Sequence, residues 1–152
     1  MRTAIISPVS ATWIQHANDT LRLGDVRSGG ARSAVVELLG GEPCCLTAQE
    51  LFDRARAAGR PVGIASVYRA LDLLVELKLV QRIELGAGIA RFEARQPDGE
   101  HHHHVVCDDC GRVEPFSDAR LEVALDGVAG EVGFEVDTHD VVLRGACADC
   151  RG

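Results

Sequence analysis

Four consecutive histidines, His101 to His104, lead through two valines into Cys107-Asp-Asp-Cys110, and a second pair, Cys147-Ala-Asp-Cys150, lies at the end of the chain. Imidazoles and thiolates are the donors preferred by zinc and its neighbours, and two CxxC pairs supply the four soft ligands of a closed tetrahedral site. The pairs are 36 residues apart. An ion held by both would tie the end of the C-terminal half to its beginning, which restricts that half to folds returning the chain to its starting strand. Cys107, Cys110, Cys147 and Cys150 are therefore read as a structural zinc site whose removal should unfold the domain. The alternative, a thioredoxin-like redox pair, lacks the strand-to-helix junction that such a motif occupies.

The histidines carry a second constraint. An internal run of four set among structured segments is not an affinity tag. If the segment is extended, His101 and His103 face one side while His102 and His104 face the other, so one strand serves two metals. The plainer reading is a solvated polar strand. Further ligands would have to come from Cys44, Cys45, Glu93, Glu100, Glu114, Glu122, His139 and Asp140.

The chain has 152 residues, 46% of them hydrophobic, enough for one ordinary core or two small ones. No apolar run approaches the roughly 18 residues of a spanning helix, so no membrane partner is expected and the cytoplasm is the default location. Six cysteines without an export signal fit reduced thiols and metal ligands better than disulfides. The net charge of −7 is uneven: through Phe92 there are 11 basic and 9 acidic residues, from Glu93 onward 5 and 14, giving +2 and −9. A mildly basic half suited to phosphate and an acidic half suited to cations point to two domains.

Helical periodicity marks Thr12 to Leu23 and Ala31 to Leu39. Thr47-x-x-Glu50 opens a third helix as a capping box, closed by Gly59 and Pro61. Ile64, Val67, Tyr68, Leu71, Leu74 and Val75 form the apolar stripe of a fourth, opposite Ala65, Ser66, Arg69 and Asp72. Val80 to Leu85 and Ile89 to Phe92, joined by Gly86-Ala87-Gly88, read as a hairpin. Helices followed by a hairpin predict a winged helix, with the fourth helix as the recognition helix of a helix-turn-helix unit. Beyond a linker near Gln96 to Gly99 the pattern changes. Val105-Val106 and Val113 to Phe116 are read as strands, Asp118 to Gly130 as a helix and Phe134 to Leu143 as β structure.

The winged-helix pattern, Gly63-Ile-Ala-Ser-Val-Tyr-Arg-Ala-Leu71, Arg91-Phe-Glu93, the HHHHVVCDDCG of His101 to Gly111 and the terminal CADC together resemble the ferric uptake regulator family of metal-dependent bacterial repressors. The resemblance covers nearly the whole chain and implies an α+β homodimer. Residues 1–94 would be a winged helix-turn-helix DNA-binding domain and residues 95–152 a small α/β dimerisation and metal-binding domain. It assigns the four cysteines to structural Zn2+, and His101, His103, Glu122 and His139 to an additional site. The interdomain sensory site would hold a second divalent ion, Zn2+ or Fe2+, through Cys45, Glu93, His102 and His104. Cys45 stands where iron- and peroxide-responsive relatives usually carry histidine, and a thiolate there shifts the preference towards zinc. Cys45 as a small buried residue, with Cys44 as the better-placed thiol, is the alternative. The resemblance also implies contact with a palindromic double-stranded DNA operator by Arg27, Ser66, Tyr68 and Arg69. Tyr68 equally continues the apolar stripe and has a core reading.

The leading expectation is thus a non-enzymatic, zinc- or iron-responsive repressor of metal homeostasis genes. An iron-based peroxide sensor of the same family, a metalloenzyme and a metal-storage module without specific DNA binding are the alternatives.

Overall fold

The computed structural model describes residues 11–24, 29–97, 99 and 101–152. The chain divides into two compact units, one ending at residue 100 and the other beginning at His101. That division lies on the C-terminal side of the boundary expected after Ala94.

The first unit contains α1 (Ala11–Leu23), α2 (Gly30–Gly40), β1 (Leu46–Thr47), α3 (Ala48–Ala57), α4 (Ile64–Glu76), β2 (Val80–Glu84) and β3 (Ala90–Ala94). Its strands form an antiparallel sheet in the order β1-β3-β2. This is a winged helix-turn-helix. The hairpin is slightly displaced from expectation, and its turn takes positive φ at Gly86, Ala87 and Gly88 (106°, 57° and 68°), a conformation only glycine adopts freely. β1 was not expected from the sequence, because two residues carry no readable alternation. It exists because the chain leaving α2 pairs Leu46 with Phe92 and Thr47 with Arg91.

The capping box at α3 is complete: Thr47 Oγ1 accepts the Glu50 N–H at 3.1 Å, and the Glu50 carboxylate accepts the Thr47 N–H at 2.7 Å. The helix ends at Gly59, whose φ of 74° lets Arg60 N–H reach Ala55 O at 3.0 Å and turns the chain sharply into α4. α4 buries Val67, Ala70, Leu71 and Leu74. Its stop uses the same left-handed device at Lys78 (φ 58°), with Leu79 N–H bonded to Leu74 O at 3.0 Å. Trp13, Leu39, Leu51, Leu71 and Leu74 are all essentially inaccessible, and each such side chain contributes roughly 1.5–3 kcal/mol by burial. Trp13 also donates its Nε1–H to Leu79 O at 3.2 Å, fastening α1 to the entry of β2.

The second unit contains β4 (His103–Cys107), β5 (Val113–Phe116), α5 (Ala119–Glu131) and β6 (Val142–Gly145). β4 is central in the order β5-β4-β6, antiparallel to β5 and parallel to β6. The carboxylate of Asp118 caps α5, accepting the Arg120 N–H at 2.8 Å. α5 itself buries no residue. Of the β segment expected over Phe134 to Leu143, only Val142 and Leu143 lie in a strand. At the start of the ladder the Val141 carbonyl accepts the His104 N–H at 3.1 Å, while the Val141 N–H donates to His103 Nδ1 at 3.3 Å instead of to the β4 backbone. None of the described helices is long and apolar enough to cross a membrane.

Candidate functional site

Two of the expected groups, the four cysteines read from their spacing and the set of His101, His103, Glu122 and His139 implied by the resemblance, assemble wholly within the second unit. Cys107 ends β4 and Cys147 follows β6, so the parallel pairing of those strands brings the two CxxC knuckles together. All four sulfurs of Cys107, Cys110, Cys147 and Cys150 lie within 4.8 Å of one another, with Cys110 Sγ to Cys147 Sγ at 3.8 Å. Ion pairs cross between the knuckles, Arg144 to Asp108 at 3.1 Å and Arg112 to Asp149 at 3.3 Å. Backbone N–H groups of Cys110 and Cys147 aimed at Cys107 lower its thiol to about 6. Hydrogen bonding among the crowded sulfurs, from Cys147 first, pushes Cys150 up to about 12. Four sulfurs this close ionise together only around a cation, and the donor set fits a closed tetrahedral zinc site.

His101, His103, Glu122 and His139 form the second group, again with ligand atoms within 4.8 Å of one another. Glu122 projects from α5 and joins two rings: Oε1 lies 2.7 Å from His103 Nε2, and Oε2 lies 2.8 Å from His139 Nε2. His101 Nε2 approaches His139 Nε2 at 3.1 Å. The His103 ring, followed by His139, holds the Glu122 carboxyl below its ordinary value. Three imidazoles and a carboxylate converging in this way fit a divalent transition metal of borderline softness.

The other histidine pair follows the expected alternation. His102 and His104 have ring centroids 4.9 Å apart, matching 5.2 Å for His101 and His103 on the opposite face, although regular strand geometry begins only at His103. A ring nitrogen of His102 lies within 4.8 Å of one of His104. Within the first unit, Cys44 Sγ and a carboxylate oxygen of Glu93 also lie within 4.8 Å of each other. Glu93 is 2% exposed and accepts a hydrogen bond from the Gln81 amide across the hairpin. The thiol that shares a ligand group with Glu93 is thus Cys44, with the buried Cys45 beside it at 3.6 Å between sulfurs. The hydrogen bond from Cys44 lowers the Cys45 thiol, against burial and the nearby Glu93 charge, which raise it. Sequence alone could not choose between adjacent thiols, since the choice depends on the β1–β3 register. Glu114 pairs with Arg112 at 2.7 Å, and neither it nor Asp140 enters a ligand group. Arg27 and Glu100 lie outside the described residues.

On the recognition helix α4, Tyr68 is 51% exposed and points away from the core despite continuing the stripe. Arg69 is exposed and donates to Ser66 Oγ at 3.0 Å. Beside them a groove of about 370 Å3 opens between the N-terminal ends of α2 and α4, lined by Gly30, Arg32, Gly63, Ser66 and Arg69 among others. The N-caps of both helices are glycines, Gly29 and Gly63, that provide no side-chain cap. Among the described residues no side chain caps the first N–H groups of these two helices, which lie beside Arg32 and Arg69 in an arrangement suited to phosphate.

A sequence profile described as "Ferric uptake regulator family" matches residues 24–144. The ferric uptake regulation protein of Bacillus subtilis (strain 168) is 34% identical over 123 residues, covering 80% of this chain and 83% of that protein. The crystal structure of the Vibrio cholerae ferric uptake regulator superposes with a TM-score of 0.75 at 30% identity, covering 86% of this chain and 98% of that one. The Helicobacter pylori ferric uptake regulator shares the fold, with a TM-score of 0.80 at 22% identity over 100% of this chain and 98% of that one.

Proposed function

Because the chain belongs to the ferric uptake regulator family, it is a DNA-binding, metal-responsive transcriptional regulator and not an enzyme, and we propose that it is a zinc-favouring homodimeric repressor. In this reading it acts in the cytoplasm on metal homeostasis genes. The observation that carries the proposal is the presence of two ready-made ligand pairs, His102 with His104 and Cys44 with Glu93, one pair in each unit. We assign both pairs to one regulatory ion. His102 and His104 contribute imidazoles from the start of β4, while Glu93 and a thiol of the Cys44–Cys45 pair contribute from the winged-helix side. The ion supplies only a charge and a fixed coordination geometry. Two units that share its ligands are restricted to one arrangement, and that arrangement sets the separation of the two recognition helices in a dimer.

The coupling is a population shift: the ion must favour the DNA-competent arrangement, and by linkage DNA must tighten ion binding by the same factor. A thiolate among two imidazoles and a carboxylate supports Zn2+ over Fe2+ or Mn2+. The four-cysteine site would hold Zn2+ permanently, and the His101, His103, Glu122 and His139 group would take a further ion.

Dimerisation rests on the second unit. Val128, Val132, Phe134 and Leu143 are each at least half exposed, and no residue of α5 is fully buried. A second copy would bury this apolar surface. The resulting twofold axis requires a roughly palindromic operator, read by Tyr68 against thymine methyls and by Arg69 against guanine or phosphate. Ser66 and the groove at the N-terminal ends of α2 and α4 would seat the backbone. The test is operator binding titrated with Zn2+, Fe2+, Mn2+ and Ni2+ on protein whose four-cysteine site is already filled. Zn2+ is expected to act at the lowest free concentration. Binding unchanged by saturating metal, or by H102A/H104A, would overturn the reading.

A further inference from the structure

Cys44 and Cys45 are adjacent in sequence, yet their sulfurs lie on the same side of the chain, 3.6 Å apart. Two thiolates bound to one tetrahedral ion through bonds of about 2.3 Å stand about 3.8 Å apart. The chain contains its own yardstick, since Cys110 and Cys147 of the four-cysteine group are separated by 3.8 Å. Cys44 lies in a bend and Cys45 directly precedes β1, so the turn of the backbone here brings two adjacent sulfurs together where an extended strand would send them to opposite faces. Glu93 supplies a carboxylate oxygen within 4.8 Å of Cys44 Sγ, on the strand that pairs with the residues directly after Cys45. Cys45 is only 5% exposed, whereas Cys44 is half-buried and gives access from outside.

We propose that Cys44 and Cys45 bind a single thiophilic divalent ion together, as a dithiolate completed by Glu93, and that the winged-helix unit captures Zn2+ or, more tightly, Cd2+ through these three residues. The inference rests on the reading of a regulatory ion at Glu93 and deepens it by making the donor set on this side S2O. Only one thiolate and one carboxylate would otherwise face the ion from this unit. A second sulfur discriminates strongly between soft d10 ions and Fe2+ or Mn2+, so the pair is the specificity element of the site. Because the three donors share one unit, capture does not require His102 or His104.

The test is Cd2+ titration of the full-length protein with its four-cysteine site loaded with zinc, following sulfur-to-cadmium charge-transfer absorption and zinc release in parallel. The variants are C44S, C45S, C45A, C44S/C45S and H102A/H104A. H102A/H104A is expected to retain the band, while C45S and C44S each leave roughly half of it, since its intensity follows the number of thiolates bonded. C44S/C45S should remove it, and any band surviving there, with matching zinc release, reports exchange at the four-cysteine site and is subtracted. C45S should also narrow the preference for Cd2+ over Mn2+ by about tenfold or more. Circular dichroism of C45S and C45A checks that the winged-helix unit remains folded. A band undiminished in both folded Cys45 variants but lost in C44S would overturn the dithiolate, as would loss of the band in H102A/H104A. Operator binding, measured separately, distinguishes the two proposals: an intact two-thiolate band with metal-indifferent DNA binding defeats the regulator and leaves the capture site.

Discussion

The two units are stabilised by different means. The winged-helix unit buries Trp13, Leu39, Leu51, Leu71 and Leu74 in one continuous apolar cluster, supplemented by a complete capping box and two left-handed helix stops. In the second unit the described buried residues are Val106, Cys107, His103 and His104, and no residue of α5 is fully buried. About fifty residues that cover so little apolar surface lack the means to offset chain entropy by burial alone. In the proposed reading their cohesion would come from ions held by converging ligands, the sulfurs at one end of β4 and the histidines with Glu122 at the other, and from a second copy covering α5. One unit is built on a core, the other on coordination. In the proposed reading a regulator profits from the difference, since the unit that contacts DNA keeps its shape on its own core while the second unit relies on metal for its shape.

Removing the ion proposed at the four cysteines should separate the two units most strongly. Chelation or C107S should abolish amide-exchange protection in β4, β5 and β6 while leaving protection in α2 and α4 intact, and equal loss in both units would show that the winged helix is not autonomous. The reverse experiment is Leu71→Ala, which should cost about 3 kcal/mol in denaturant unfolding of the first unit without changing zinc content. Phe134→Glu tests the uncovered face: self-association measured by sedimentation should weaken about 100-fold while the four-cysteine site stays filled. A dimer of unchanged strength would place the interface elsewhere.

Smaller effects refine the picture. Thr47→Ala removes one half of the α3 capping box and should cost about 1 kcal/mol, read as a lowered denaturation midpoint of the first unit alone. In the second unit, the Arg120 guanidinium and N–H hold the Asp118 carboxyl at about 2, below the ordinary 3.8. Because the folded value is the lower one, this cap contributes fully above the ordinary value and is lost as pH falls through about 2. Wild type should therefore lose more second-unit stability than D118N between pH 5 and about 2, a small difference to be read by thermal melts.

Much of this organisation could be read from residue order. The α4 stripe set the recognition helix because its period is local, and Thr47-x-x-Glu50 located the start of α3 because a capping box spans only four positions. Histidine alternation separated two ligand pairs because extended backbone allows no other division. Less legible was whatever depended on a distant partner. β1 is defined only by Phe92 and Arg91 of β3. The segment before Val142 reads as β from its residues, but the Val141 N–H is taken by the His103 side chain. Tyr68 fits the stripe by spacing, yet its position on the helix leaves it half exposed.

Residue order alone sets the division into a basic helical half and an acidic ligand-rich half, the spacing of the two CxxC pairs and the pairing of the histidines. Each of these is a property of composition or of short-range backbone geometry. It took the folded chain to show that parallel pairing of β4 with β6 brings the four sulfurs together, that Glu122 joins His103 to His139, and that Cys44 is the thiol grouped with Glu93 beside a converging Cys45. The reason is physical. Ligand geometry is set to within an ångström by strand register across long loops, and a register depends on residues that the local sequence does not contain.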